Sequence, residues 1–497
     1  MKQTGHVYLV GAGCGSADLI TLRGWNLLCS CDVVVYDDLI DGELLEAVPS
    51  QAEKYYMGKR RGHHSAAQEE ICAVLIEEAR KGRQVVRLKG GDPYLFGRGG
   101  EEAIALQAAG IPWEEVPGIP SALAIPAEAG IPVTHRGLSR SVSIITAHTA
   151  GTADGLPSDV ETLAHTSGTL VFLMGLNQLP RITQRLLESG MAPETPAAVI
   201  SGGNAPHPAL VRGTLSDIAS QTQETGIRPP AVIVVGTVTS LELAGPQRPL
   251  TGRSVALTGT SVVTEKLRPA LRALGARVFS AERAQVCELP LSLDWSTLYS
   301  GSPWLVFTSA NGVRIFFSHL RRRQTDLRRL HNCRFAVIGP TTEKVLREFG
   351  IHADLCPDTY TSEGLATCLC EQVAPGSDIL LLRSRQGNPS LPRKLAERFV
   401  VQDIPLYDLE PAPLESPDLS ERVEEADYLV FASSSGVKRF WDRFGHIPEK
   451  TTCVCIGGVT MDALQKRYPW PALLAPEIST EGIVQAILNR EAEILPH

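Results

Sequence analysis

The stretch WLVFTSANGVRIFF at 304–317 returns as YLVFASSSGVKRFW at 428–441, AVIGPTTEKVL at 336–346 as VCIGGVTMDAL at 454–464, and TYTSEGLATCL at 359–369 as EISTEGIVQAI at 477–487. The spacing from Gly339 to Gly457 equals that from Glu363 to Glu481. Each copy reads as a buried strand, a small-residue turn and a helix, and such a module cannot bury its apolar faces alone. Two copies in succession predict two similar α/β lobes with a cleft between them.

The N-terminal half also alternates strand and helix: VYLVGAG, then ADLITLRGWNLLCS, then DVVVYDD. Alternation of this kind predicts α/β architecture with mostly parallel strands. Between the halves, AGPQRPLTGR at 244–253 holds two prolines and two glycines, the composition of a linker. After it RSVALTGT starts a new strand, followed by a helix whose Leu267, Ala270, Leu271 and Leu274 share a stripe and which Gly275 stops. A chain of 497 residues is too long for one core.

Composition narrows the class. With 43% hydrophobic and 21% charged residues the chain is an ordinary globular one, and a net charge of -8 supplies no global positive field to draw nucleic acid. No nucleic-acid partner is expected. Nowhere do about 18 apolar residues run together, so no membrane span is expected. MKQTGH leads straight into a strand without a signal peptide, which points to the cytoplasm. The cysteines include three Cys-x-Cys pairs, Cys29/Cys31, Cys368/Cys370 and Cys453/Cys455, but no Cys-x-x-Cys and no histidine set to complete a tetrahedral site. They read as reduced, packed thiols, and no metal is assigned.

Two glycine-rich loops carry the chemistry. GAGCGS after the first strand, with Asp37 or Asp38 ending the second, suggests a dinucleotide fingerprint, but Ser16 stands where the third glycine belongs and Gly15 comes one position early. In LKGGDP, Gly90 and Gly91 bring bare backbone to a ligand while Asp92 offers an acceptor, and FGRGGEE follows directly.

VYLVGAGCGSADLITLRG, GKRRGHHSAAQEEI, VVRLKGGDPYLFGRGGEE, VPGIPSALAIPAEAGIPVTHRGLS, TLVFLMG and PAVIVVG follow one another in the order found in uroporphyrinogen-III C-methyltransferases. The resemblance covers nearly all of 1–245. It implies a two-lobed tetrapyrrole methyltransferase fold that uses S-adenosylmethionine, releases S-adenosylhomocysteine, methylates uroporphyrinogen III twice and yields precorrin-2, a precursor of sirohaem or cobalamin. By position it implies cofactor contacts from Cys14, Gly90, Gly91, Asp92, Leu95, Pro120, Ser121, Met174, Gly203 and Ala231. Three departures stand out: Cys14 replaces a usual proline, Pro120 a usual threonine, and VISGGNAP a Glu-Arg-Gly-Thr-like stretch. The resemblance also implies a homodimer through this half.

The substrate's eight carboxylates call for cations, and arginine grips a carboxylate at two points. Arg98 and Arg136 are the substrate candidates, with Arg140 and the cluster Lys59, Arg60 and Arg61 near by, and the resemblance adds Glu101 and His148. A sulfonium methyl is already electrophilic and a reduced pyrrole already nucleophilic, so the protein mainly aligns them and removes a proton afterwards. Asp37 matches the family's proton acceptor and Lys59 its donor.

The repeated half, with IPLYDLEP between its lobes, resembles uroporphyrinogen-III synthase over about 250–497. Such an enzyme cyclises hydroxymethylbilane with inversion of the last ring and makes the substrate of the first half. Chain order implies one lobe from about 253–285 plus 413–497 and another from 286–412, joined by two crossovers, with 246–252 as the linker between enzymes. Tyr407 matches the family's tyrosine, which assists departure of the hydroxyl. Thr460, in a turn reading IGGVT where the family has IGPTT, and Ser309 and Ser433, with Asn311 and Ser435 beside them, are substrate candidates. The rival from another class is a two-lobed ligand-sensing or binding module attached to a methyltransferase.

Overall fold

The computed structural model describes residues 4–49, 51–58, 68–147, 156, 160–203, 208–243, 245, 247–293, 295–412 and 419–494. Its strands form three sheets. The first contains β1 (His6–Gly11), β2 (Val33–Tyr36), β3 (Glu53–Tyr56), β4 (Gln84–Lys89) and β5 (Trp113–Val116) in the order β3-β2-β4-β1-β5, every pairing parallel. The apolar runs of β1, β2 and β4 are buried on both faces, as a covered parallel sheet demands. Val7, Leu9, Val33, Val35 and Val85 pack beneath helices Gln68–Arg80 and Gly99–Ala108. Val10, Val34, Val86 and Leu88 pack on the opposite face.

The second sheet contains β6 (Val142–Thr146), β7 (Thr169–Leu173), β8 (Pro196–Ser201), β9 (Ala209–Thr214) and β10 (Ala231–Val235) in the order β6-β7-β10-β8-β9. Only β6 and β7 pair in parallel; β10 runs antiparallel to β7 and β8, and β8 to β9. The parallel expectation therefore holds for the first sheet and not the second. The step from β8 to β9 spans 202–208, which suits an antiparallel return but not a parallel crossover. Helix Ser121–Glu128 lays Ala122 and Ile125 against Val171, Ala198, Ile200 and Val232 of this sheet.

The third sheet has nine strands: β11 (Ser254–Thr260), β12 (Arg277–Glu288), β13 (Trp304–Phe307), β14 (Arg334–Val337), β15 (Asp378–Ser384), β16 (Val400–Pro411), β17 (Tyr428–Phe431), β18 (Thr452–Cys455) and β19 (Ala472–Leu474). Their order is β14-β13-β15-β16-β12-β11-β17-β18-β19. The repeat is visible in it: β13 lies beside β14 on one side and β17 beside β18 on the other, both pairs parallel. The long strands β12 and β16 meet at the centre, antiparallel, from Ala284↔Pro411 to Glu288↔Tyr407.

The recurring motifs are helix caps. Ser309 and Ser433 have nearly the same extended backbone, and each hydroxyl accepts the N–H three residues on, from Gly312 and Gly436, at 3.1 Å. Thr361 and Ser479 cap the later helices in the same way, accepting from Gly364 and Gly482. The chain folds back so tightly there that a Cβ on Gly364 would sit 2.2 Å from Thr359 O, and one on Gly482 2.3 Å from Glu477 O.

By its contacts the chain divides into two compact units: Met1–Val255 with Leu271–Phe279 and Leu414–Asp427, and Ala256–Ala270 with Ser280–Pro413 and Tyr428–His497. Among the described residues no helix is long and apolar enough to cross a membrane.

Candidate functional site

In the first sheet β4, β1 and β5 are parallel neighbours, so the loops leaving their carboxyl ends emerge side by side, the place where open parallel sheets bind ligands. The two glycine loops pair with each other. Ala12 N–H donates to Lys89 O at 2.7 Å, Gly91 N–H to Gly13 O at 2.7 Å and Gly13 N–H to Gly91 O at 3.2 Å. The third loop lies directly on them, since a Cβ on Gly118 would come 2.1 Å from Gly91 O. Asp92 fastens the junction: Oδ1 accepts from Tyr94 N–H at 2.9 Å and Leu95 N–H at 3.2 Å, and Oδ2 from Gly118 N–H at 3.1 Å. Its carboxylate shapes the cradle through three backbone amides.

Pro120 occupies the cap position of helix Ser121–Glu128 with φ -73° and no side-chain cap, and its Cα is the nearest neighbour of a Cβ built on Gly91. Cys14, in the loop after β1, reaches the second sheet: its Sγ is 3.1 Å from a Cβ built on Gly203. Burial, with the Glu128 carboxylate near by, pushes its thiol up to about 12. Met174, just past β7, is 58% exposed with φ +56°, and Ala231 opens the neighbouring β10. The residues anticipated for the cofactor thus come from the carboxyl end of the first sheet, the helix after it, and the rim of the second.

Asp37 follows β2, two residues before Leu39, against which Gly90 packs. Its Oδ2 accepts from Arg87 Nη2 at 2.9 Å. Arg87 and Lys89 alternate with Val86 and Leu88 along β4 and are almost fully buried, as is Glu102, whose Oε1 receives Arg87 Nε at 3.2 Å and Lys89 Nζ at 2.7 Å. Burial, with Arg87 alongside, pulls the Lys89 ammonium below its ordinary value. Sequence reading passed over these three residues. The available signal was the pair of charges two apart inside an otherwise apolar strand, which places both on one face.

Arg98 and Glu101 grip each other, Nε to Oε1 at 2.9 Å and Nη2 to Oε2 at 2.7 Å, on an exposed surface. Arg136 and Arg140 are exposed around the turn in which His135 and Ser139 pair. Lys59, with Arg60 and Arg61, and His148 lie outside the described residues.

In the third sheet Tyr407 on β16 is buried, and its hydroxyl lies 2.8 Å from Ser309 Oγ at the head of helix Ala310–Arg322. Burial pushes the phenol up from its ordinary value. Ser433 Oγ lies 3.1 Å from Ser435 Oγ, and Thr460 is buried in the first turn of helix Gly458–Gln465.

Comparison with known proteins gives the same two halves. The family model of tetrapyrrole (corrin/porphyrin) methylases matches residues 6–219, and that of uroporphyrinogen-III synthase HemD matches 265–485. A porphyrin biosynthesis protein HemD of Ruminiclostridium josui is 34% identical over 498 residues, covering 98% of each chain. An S-adenosyl-L-methionine-dependent uroporphyrinogen III methyltransferase of Methanosarcina barkeri is 48% identical over 245 residues, 49% of this chain and 96% of its own. The crystal structure of uroporphyrin-III C-methyl transferase from Thermus thermophilus, complexed with S-adenyl homocysteine, is 40% identical with a TM-score of 0.41, covering 47% of this chain and 98% of that one.

Proposed function

The chain belongs to the family that fuses a tetrapyrrole methylase to a uroporphyrinogen-III synthase, and from that premise we propose that it carries out two consecutive steps of tetrapyrrole synthesis. Residues 253–497 cyclise hydroxymethylbilane to uroporphyrinogen III with inversion of the last ring, and residues 1–245 methylate that product twice with S-adenosylmethionine to give precorrin-2. Residues 246–252 link the two. The observation that carries the reading is the relative matched over nearly its entire length, with both family models in one order along the chain.

In the methyltransferase half the cofactor rests on Gly90, Gly91, Asp92, Leu95, Pro120 and Ser121, where Asp92 also holds the backbone at Tyr94, Leu95 and Gly118, with Cys14, Met174, Gly203 and Ala231 on the facing rim. The methyl's bond to sulfur breaks as its bond to the pyrrole carbon forms, sulfur keeps the electron pair, and the ring cation sheds a proton to Asp37. Lys59 is the donor. Arg98 and Arg136, with Glu101 and His148, meet the substrate, and its carboxylates compete with Glu101 for the Arg98 fork. In the synthase half Tyr407 assists departure of the hydroxyl, while Ser309, Ser433 and Thr460 line the site. The reading further expects a homodimer through the methyltransferase half, which the exposed Tyr94, Phe96, Ile104 and Leu138 support, and a cytoplasmic location, which eleven free cysteines suit.

Two separate assays test it. Uroporphyrinogen III and labelled S-adenosylmethionine should yield a doubly methylated product, and hydroxymethylbilane alone should yield the III isomer. Formation of only the non-enzymatic I isomer would refute the synthase half, and label left wholly on the cofactor the methyltransferase half.

A further inference from the structure

We infer that Arg87, clamped from behind by Glu102, which Lys89 holds in turn, is the positioning residue that aims the Asp37 carboxylate at the proton it removes. The inference rests on Asp37 being the proton acceptor. The Arg87 guanidinium is fixed on every edge: Nε donates to Glu102 Oε1 at 3.2 Å, Nη1 to Leu88 O at 3.2 Å and Val35 O at 3.4 Å, and Nη2 to Asp37 Oδ2 at 2.9 Å. Glu102 Oε1 is held in turn by Lys89 Nζ at 2.7 Å and Gln68 Nε2 at 3.0 Å, and its Oε2 has no hydrogen-bond partner among the described residues.

Side-chain exposure is 3% for Arg87, 5% for Lys89 and 0% for Glu102, but 31% for Asp37. The network therefore runs from a buried interior to a single partly exposed carboxylate, at the carboxyl end of the sheet where the glycine loops lie. A buried ion cluster is poorly explained by stability, because apolar residues of similar volume often serve a fold as well or better. It is well explained as a second layer of hydrogen bonds that fixes the orientation of a reacting group. Arginine suits the task because its rigid fork reaches Asp37 and Glu102 at once, which a lysine ammonium cannot reproduce.

A double-mutant cycle tests this in the full chain, with methyl-transfer kcat and KM measured for Arg87→Lys, Arg87→Gln, Asp37→Asn and Arg87→Gln/Asp37→Asn, and S-adenosylhomocysteine binding by calorimetry as a check that the cradle is intact. Arg87→Lys should lose about 10- to 100-fold in kcat, the usual cost of breaking such a layer, with cofactor affinity within about twofold. In the Asp37→Asn background, Arg87→Gln should cost less than about threefold more, since residues acting through one another are non-additive. Wild-type kcat in Arg87→Lys would overturn the inference. So would an undiminished Arg87→Gln loss in the Asp37→Asn background, or loss of cofactor affinity in step with kcat in Arg87→Lys, which marks a merely structural role. If Arg87→Gln fails to bind the cofactor, Arg87→Lys decides alone. Full activity in Asp37→Asn would instead remove the proton acceptor itself, and the inference with it.

Discussion

Tyr407 and Ser309 share a hydrogen bond of 2.8 Å, and Ser309 Oγ also accepts from Gly312 N–H. Replacing Tyr407 with Phe keeps the ring's packing and the cap while deleting one hydroxyl. Unfolding stability should fall by about 0.5–1.5 kcal/mol. General acid catalysis is worth roughly 10²–10⁴-fold, and because the bilane sheds its hydroxyl readily the variant should cyclise it more slowly by no more than the lower of those limits. A melting curve and a hydroxymethylbilane assay measure the two effects, and a folded variant at full rate would contradict the role given to Tyr407. Asp92→Ala acts differently. It strips an ionic acceptor from three backbone amides, at about 1.5–3 kcal/mol for one such bond, and should weaken S-adenosylhomocysteine about ten- to a hundredfold while sparing synthase activity. Unchanged binding by calorimetry would show that the loop keeps its shape without that carboxylate.

Among the elements, the loops after β1, β4 and β5 are tightly built. Gly118→Ala would drive a methyl into the Gly91 carbonyl, so overpacking of about 1–3 kcal/mol and loss of cofactor binding are expected. Denaturation and calorimetry should show both together, and normal binding would contradict the junction. In β18, burial pushes the Cys455 thiol up to about 12 and Cys453 in the same direction. A thiol raised in the folded state contributes stability that is full below its ordinary value of 9.0 and is lost as pH rises from there toward 12. The denaturation midpoint should therefore drop above about pH 9, and drop less in a variant with valine at both positions; equal slopes would contradict the burial. Sequence made this scale partly legible. The repeat and the alternation of strand and helix foretold the α/β elements and the matching strand pairs β13–β14 and β17–β18, because apolar periodicity survives in any α/β chain. The antiparallel second sheet stayed hidden because strand direction depends on connection geometry rather than on the strands' own residues. The Ser309, Ser433, Thr361 and Ser479 motifs recur as helix caps, so their repetition records a fold before it records a site. Arg87, Lys89 and Glu102 were hidden for the converse reason: charges close to a glycine loop read as surface until the strand's alternation turns the first two inward and the helix after the loop buries Glu102 against them.

At the scale of the whole molecule, cutting between Gly245 and Pro246 leaves all nine strands of the third sheet in one fragment, since β11 starts at Ser254. That fragment should still turn hydroxymethylbilane into uroporphyrinogen III without S-adenosylmethionine, and an inert fragment would count against the division at 246–252. The central claim, that one chain performs both steps in succession, is tested most directly by giving the intact protein hydroxymethylbilane and methyl-labelled S-adenosylmethionine together and weighing the tetrapyrrole formed. The account predicts precorrin-2 carrying two labelled methyl groups, and uroporphyrinogen III when the cofactor is withheld. An unlabelled tetrapyrrole with the cofactor present, or bilane that closes only to the I isomer, would contradict it.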